Sequence, residues 1–398
     1  MKFAPLGYRF GSLAPLSGGA LLFSKKYRPD LVAAAATQCK STVMPSSARA
    51  RRSRALRSKD PAWATLPDDE LLQLRLKDLK LKLPGTWLED CLDKLNGELK
   101  AHGLGVRIHG WLSDEWFSPP ATPGIAFPFY LAHPRLIRLE RKMMLEVEGG
   151  SRRECMRILR HEAGHVVQHA YGLHRRKGWQ SLFGNASKPY PASYRANPAS
   201  KRYVQYLPRW YAQCHPDEDF AETFAVWLTP RAKWRKQYAE WPALKKLEYI
   251  GALMEELDGA RPPPAKRTQL DPVSSLTMTL GEHYAGKRKR YAVDTPTIFD
   301  RDLKRIFARE TANRRAPLAA AVIRKNRAKV IRAVSRETGE YPVALEAALN
   351  DMIARSRALS LRAPRSNQAT RLELTAMLTS KAVYSHYASS SRRHWFAV

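Results

Sequence analysis

Between residues 66 and 258 the apolar positions recur mainly at helical spacing. From Leu66 to Leu83 they fall near three- and four-residue intervals, which predicts a helix ending before Pro84. Cys91, Leu92, Leu95 and Leu99 mark a second helix, stopped by Gly103. Val106–Trp111 is short and half-apolar, and Gly124–Ala132 is a continuous apolar run; both read as strands. Pro128 cannot donate to a ladder, so the second strand belongs at a sheet edge or carries a bulge. A long helix follows over Arg152–Tyr171. Ile158, Leu159, Ala163, Val166, Val167 and Ala170 form its apolar face, and Gly172 stands where a C-cap glycine belongs. Residues 173–207, rich in Pro, Ser, Asn, Tyr and cations, read as a long loop of the kind that is often functional. Pro216 opens another helix, because proline suits the first helical position and Asp217, Glu218 and Asp219 suit the positive end of the dipole. Its stripe of Phe220, Ala221, Phe224, Ala225 and Leu228 ends near Pro230, and helices continue to about Leu257.

The pattern divides the chain. Residues 61–258 read as one domain, 259–299 with RPPPAKR near their start as a proline-rich basic linker, and 300–398 as a mainly helical basic region. A chain of 398 residues has room for two or three domains, and 44% hydrophobic residues suffice for real cores. The expected class is α+β and helix-rich. No apolar run reaches the roughly 18 residues of a membrane span. Four cysteines without a CxxC pair exclude a disulfide scaffold and a cysteine-based zinc finger, and they fit a reducing, cytoplasmic setting.

Charge adds a second theme. Sixty-eight Lys and Arg against thirty-seven Asp and Glu give +31, so the chain is drawn to polyanions such as nucleic acid. Residues 1–60 carry twelve Lys or Arg and two Asp. They read as a basic disordered leader, with a weak signal or transit peptide as the other reading. Residues 301–398 carry twenty Lys or Arg against seven acids, either a solvated helical surface or a docking face for polyanions.

The sharpest chemical signal is His161-Glu162-Ala163-Gly164-His165. On a helix, positions i and i+4 share a face, so both imidazoles can meet one zinc ion and Glu162 can reach a water bound to it. A catalytic zinc needs a third protein ligand. His169 fails, because at 1.5 Å rise per residue it lies about 9 Å along the axis from the midpoint of the first two histidines. Glu218 and Glu222 are also i and i+4, on a helix that carries the apolar stripe named above. Buried carboxylates on one face need a partner. Glu218 could bind the metal, with His215 or Asp219 next in line, and Glu222 could accept a hydrogen bond from the free nitrogen of a ligand histidine. Read singly, either glutamate is better taken as solvated and paired with Arg or Lys.

HEAGH followed by EDFAETFA resembles the Glu-type zincin metallopeptidases. The likeness is to the bacterial zinc-binding metallopeptidases with an HPxExxAExxA helix, and more distantly to the anthrax lethal-factor-like proteases. It is specific over about 153–172 and 209–228. It implies a zincin-like domain with a small mixed sheet, a zinc ion on His161, His165 and Glu218, and Glu222 behind them. It further implies Glu162 as general base and a peptide or protein substrate. By the same likeness Tyr211, seven residues before Glu218, would be a catalytic tyrosine, and an edge strand, here Gly124–Ala132, would pair with extended substrate. The alternative is a nucleic-acid- or polyanion-binding protein whose zincin-like domain is structural or inactive.

Overall fold

The computed structural model describes residues 60–388 apart from 121, 192–193, 195, 292–298 and 310–314. The basic leader at residues 1–59 lies outside them. The architecture is α+β and rich in helix.

The first expected helix is broken. Helix α1 covers only Asp68–Leu72, and a 3-10 turn follows at Leu76–Leu79. Arg75 between them is extended (φ −74°, ψ 146°) and bridges to Thr279. Residues 276–280 return alongside: Leu76 N–H donates to Met278 O (3.0 Å), and Leu280 N–H donates to Leu74 O (2.9 Å). These long-range bonds take backbone groups that a helix would have used. Leu71, Leu76 and Leu79 are nevertheless buried. Helix α2, Trp87–Ala101, buries Leu88, Cys91, Leu92, Leu95 and Leu99 as its pattern predicts.

Strands β1 (His109–Ser113) and β2 (Gly124–Pro128) pair in parallel, His109 opposite Gly124 and Ser113 opposite Pro128. The small sheet is therefore a parallel pair rather than a mixed one, with a single antiparallel bridge from Phe117 to Ala126. The chain leaves β2 at Pro128 into a 3-10 turn over Phe129–Ala132, so the strand is shorter than its apolar run. All five residues of β2 are buried, and Ala126 N–H donates to Phe117 O at 2.9 Å on the side away from β1. That edge is already occupied at its centre, which argues against β2 as the strand that receives substrate.

Helix α3 spans Pro134–Met144 and α4 spans Arg152–Ala170. Ser151 caps α4 by accepting from Glu154 N–H at 3.2 Å, and Gly172 adopts the left-handed conformation (φ +61°) expected of its position. The stretch read as a loop contains helix α5, Lys177–Phe183, pinned by Trp179 and Phe183 against Phe220. Helix α6, Pro216–Leu228, begins at Pro216, with the His215 side chain accepting from Asp217 N–H. Short α7 (Trp234–Gln237) and α8 (Ala243–Glu256) complete this part.

Within the stretch 259–299, expected as a linker, residues 270–291 instead return to the first core. Trp111 Nε1 donates to Leu270 O (2.8 Å), Ser113 Oγ donates to Asp271 O (2.7 Å), and Val273 N–H donates to Leu112 O (2.7 Å). Helix α9, Leu280–Tyr291, then buries Leu280 and Tyr284 in that core. The proline run precedes these bonds, which residues 270–273 make to β1. A second core unites α10 (Asp300–Ile306), α11 (Ala319–Thr338), α12 (Pro342–Ala358) and α13 (Asn367–Ala388) through Leu303, Ile323, Val334, Leu349, Met352 and Leu374. Two-residue strands β3 (Ala308–Arg309) and β4 (Leu361–Arg362) pair antiparallel beside it. Among the described residues no helix is long and apolar enough to cross a membrane.

Candidate metal centre

Helices α4 and α6 touch backbone to backbone. A Cβ on Gly164 would lie 2.7 Å from the Cα of Ala221, so only glycine permits this approach. The contact turns the polar residues of both helices inward, and Asp217, Glu218, Asp219 and Glu222 are all buried. Each such carboxylate needs a partner. Asp217 accepts from Gln168 Nε2 at 2.6 Å. Asp219 pairs with Lys246 Nζ at 2.5 Å, and that ammonium also donates to Arg202 O at 3.0 Å. Glu222 accepts from Leu207 N–H through Oε2 (2.7 Å) and faces His161 Nδ1 through Oε1 (2.9 Å). Glu218 accepts from the Tyr190 hydroxyl through Oε1 at 2.9 Å, but its buried Oε2 accepts no hydrogen bond.

That oxygen lies 3.0 Å from His161 Nε2 and 3.3 Å from His165 Nε2, and the two nitrogens are 3.2 Å apart. In the neutral ring, a proton on Nδ1 is matched by Glu222 and the Nε2 lone pair is turned toward Glu218. Lone pairs that converge in this way repel unless a cation sits among them. A proton can serve one of the contacts; a metal ion can serve all three. Ligands about 2.0–2.1 Å from a tetrahedral zinc stand roughly 3.3 Å apart, so the spacing fits that ion. The charges are mutually adapted as well. Burial would depress the His161 imidazole, but the carboxylates of Glu218 and Glu222 outweigh it and raise its pKa well above the ordinary value. Burial would raise the Glu218 carboxyl, but His165 and His161 hold it below the usual carboxylate range.

Of the remaining expected residues, Glu162 and Tyr211 lie near this triangle. Glu162 follows His161 on α4, and its Oε2 accepts from the Ser118 hydroxyl at 2.7 Å. The Tyr211 ring lies 5.7 Å from the His161 ring, centroid to centroid. Burial, then the nearby Glu218 charge, keep its phenol protonated by raising its pKa well above the ordinary value. His169 is not in the cluster: it packs on His174, and burial together with His165 lowers its pKa to about 3. His215 is spent as the α6 cap, with Nε2 donating to Lys188 O at 2.8 Å, and Asp219 is spent on Lys246. Neither belongs to the cluster of His161, His165 and Glu218 that could hold a metal ion.

Two contributors escaped sequence reading. Ser118 lies outside both motif blocks, in the connection between β1 and β2. Tyr190 stacks on His215 (3.9 Å, 16°) and reaches Glu218 from the long segment before α6. Neither sits at a fixed offset from HExxH. Only the aromatic richness of the segment around Tyr190 hinted at a role.

No curated protein and no solved structure matches the chain. Residues 139–240 match the family described as putative zinc-binding metallo-peptidase, and this segment carries His161, His165 and Glu218 together with Tyr190, Tyr211 and Glu222.

Proposed function

We propose that the chain is a zinc-dependent peptidase that hydrolyses peptide bonds, with His161, His165 and Glu218 as zinc ligands. The observation that carries this reading is the triangle of His161 Nε2, His165 Nε2 and Glu218 Oε2, with edges of 3.0–3.3 Å and one carboxylate oxygen otherwise unpartnered. Zinc bound there supplies Lewis-acid polarisation and makes a water molecule acidic near neutral pH. Glu222 fixes the His161 tautomer, and Tyr190 fixes which Glu218 oxygen faces the triangle. Glu162, aimed by Ser118, takes the proton of the attacking water and passes it to the leaving amine. Tyr211 remains a neutral phenol and donates a hydrogen bond to the developing oxyanion. The alternative, a polyanion-binding protein with a structural site, rests on charge alone, and a structural site needs no base beside its ligands.

Metal analysis beside a peptidase assay tests the reading. Glu162→Gln should keep one zinc per chain and lose turnover by at least about 10²-fold. Glu218→Ala should lose zinc. Full cleavage by Glu162→Gln, or undiminished zinc in Glu218→Ala, would refute the assignment.

A further inference from the structure

The segment that presents Tyr211 has an unusual backbone. Arg209 (φ 66°, ψ 18°) and Trp210 (φ 54°, ψ 44°) are consecutive left-handed residues, and neither is glycine. Side chains disfavour that region, so the surroundings must hold it. On the N-terminal side, Leu207 N–H is bound by Glu222, the same carboxylate that orients His161. At the bend itself, Tyr194 donates its hydroxyl proton to Arg209 O at 2.9 Å. The Arg209 side chain reaches the turn at 339–341. Its Nε donates to Gly339 O at 2.7 Å, and its guanidinium lies 3.2 Å from the centroid of the Tyr341 ring.

Gly339 and Tyr341 stand in the turn between α11 and α12. They belong to the basic helical region and lie outside the family match, which ends at residue 240. Gly339 is itself left-handed (φ +73°), which turns the chain sharply after α11. The turn is anchored to the first core: Val343 is buried in that core and Tyr341 packs against it. Arg288 of α9 adds a tie by donating to Met143 O (2.7 Å) and to Glu346 of α12 (3.1 Å).

We propose that the turn at 339–341 is a positioning element of the metal centre: through Arg209 it holds the left-handed bend that places Tyr211 beside His161. The C-terminal helical region is then part of the catalytic unit, and Arg209 and Tyr341 are positioning residues. The inference rests on the peptidase reading for its kinetic consequence and on the geometry of residues 207–211 alone for its structural one.

The test uses the full chain. Arg209→Ala and Tyr341→Ala should each keep zinc and lower kcat on a peptide substrate by about 10²-fold, the loss expected from a misplaced catalytic group, with a smaller change in KM. Tyr341→Phe keeps the ring and should stay much closer to wild type than Tyr341→Ala. Arg209→Ala combined with Tyr211→Phe should be no slower than Tyr211→Phe alone, because both act through one hydroxyl. Amide exchange over 209–214 should accelerate in Arg209→Ala and not over α4. A wild-type kcat in Arg209→Ala, additive losses in the double variant, or unchanged exchange over 209–214 would overturn the proposal. A zinc-loaded wild type without turnover would instead defeat the peptidase reading. Exchange would then decide the positioning role: faster over 209–214 supports it, and unchanged overturns it.

Discussion

The two oxygens of Glu218 do different work. Oε1 is occupied by the Tyr190 hydroxyl at 2.9 Å, so Oε2 is the one left for the histidine pair. A hydrogen bond of this kind to a ligand carboxylate commonly governs metal affinity within 10- to 100-fold. Tyr190→Phe should therefore weaken zinc binding by about that factor while keeping the ring stacked on His215, read by competition with a zinc indicator. Unchanged affinity would mean that packing, not the hydroxyl, orients the carboxylate. The residues of the cluster were legible because helical spacing puts His161 with His165 and Glu218 with Glu222 on common faces. Ser118 and Tyr190 were not legible, because their approach depends on connections whose paths no periodicity encodes.

At the scale of elements, the crossing of α4 and α6 sets the site. Gly164→Ala would place a methyl group 2.7 Å from the backbone of Ala221, with no flexible neighbour to yield. It should cost about 1–3 kcal/mol and reduce zinc retention, measured by thermal unfolding and metal content. Ala221→Gly in the same chain removes one of the atoms the new methyl group meets and should restore part of the loss. Helix α9 makes a separate prediction. His283 is buried against Phe129 and Tyr284, and its Nε2 has no hydrogen-bond partner. Burial, reinforced by Lys287, lowers its pKa to about 3 from an ordinary 6.5. The unfolded chain then binds the extra proton first. The neutral ring contributes its full share of stability above about pH 6.5, and that share falls as pH drops toward 3. His283→Phe should flatten that acid limb by about 1 kcal/mol per pH unit, read from urea titrations between pH 4 and 7. An identical slope in the variant would assign the acid sensitivity elsewhere. Elements with a clean amphipathic pattern and a terminal cap, α2, α4 and α6, were readable in advance. The broken helix at 66–83 was not, because its backbone partners at 276–280 are some two hundred residues away in the chain.

For the whole molecule, the return of residues 270–291 changes where the first core ends. Val273, Leu280 and Tyr284 complete it, and Lys287 of α9 pairs with buried Glu140 at 3.1 Å. A fragment of residues 61–258 would expose the surfaces those side chains cover and leave Glu140 without its cation. Each lost large apolar side chain is worth about 1.5–3 kcal/mol. The fragment should therefore melt well below a chain of residues 60–388, or aggregate. Equal melting temperatures would show that residues 61–258 are self-sufficient.

The amino-acid pattern alone pointed to the His161, His165 and Glu218 cluster, the helices that carry it and the carboxylate behind His161. These follow from local geometry, since a helix repeats every 3.6 residues wherever it stands. The pattern of apolar positions also made the basic C-terminal region legible as helical. Only the tertiary structure decided that Gly164 sets the depth of the α4–α6 contact. It alone brought Ser118 and Tyr190 to the carboxylates and turned an apparent linker back into the core. It also joined Arg209 to a turn 130 residues further along the chain. Those contacts are set by packing between distant segments, where spacing along the chain carries no information.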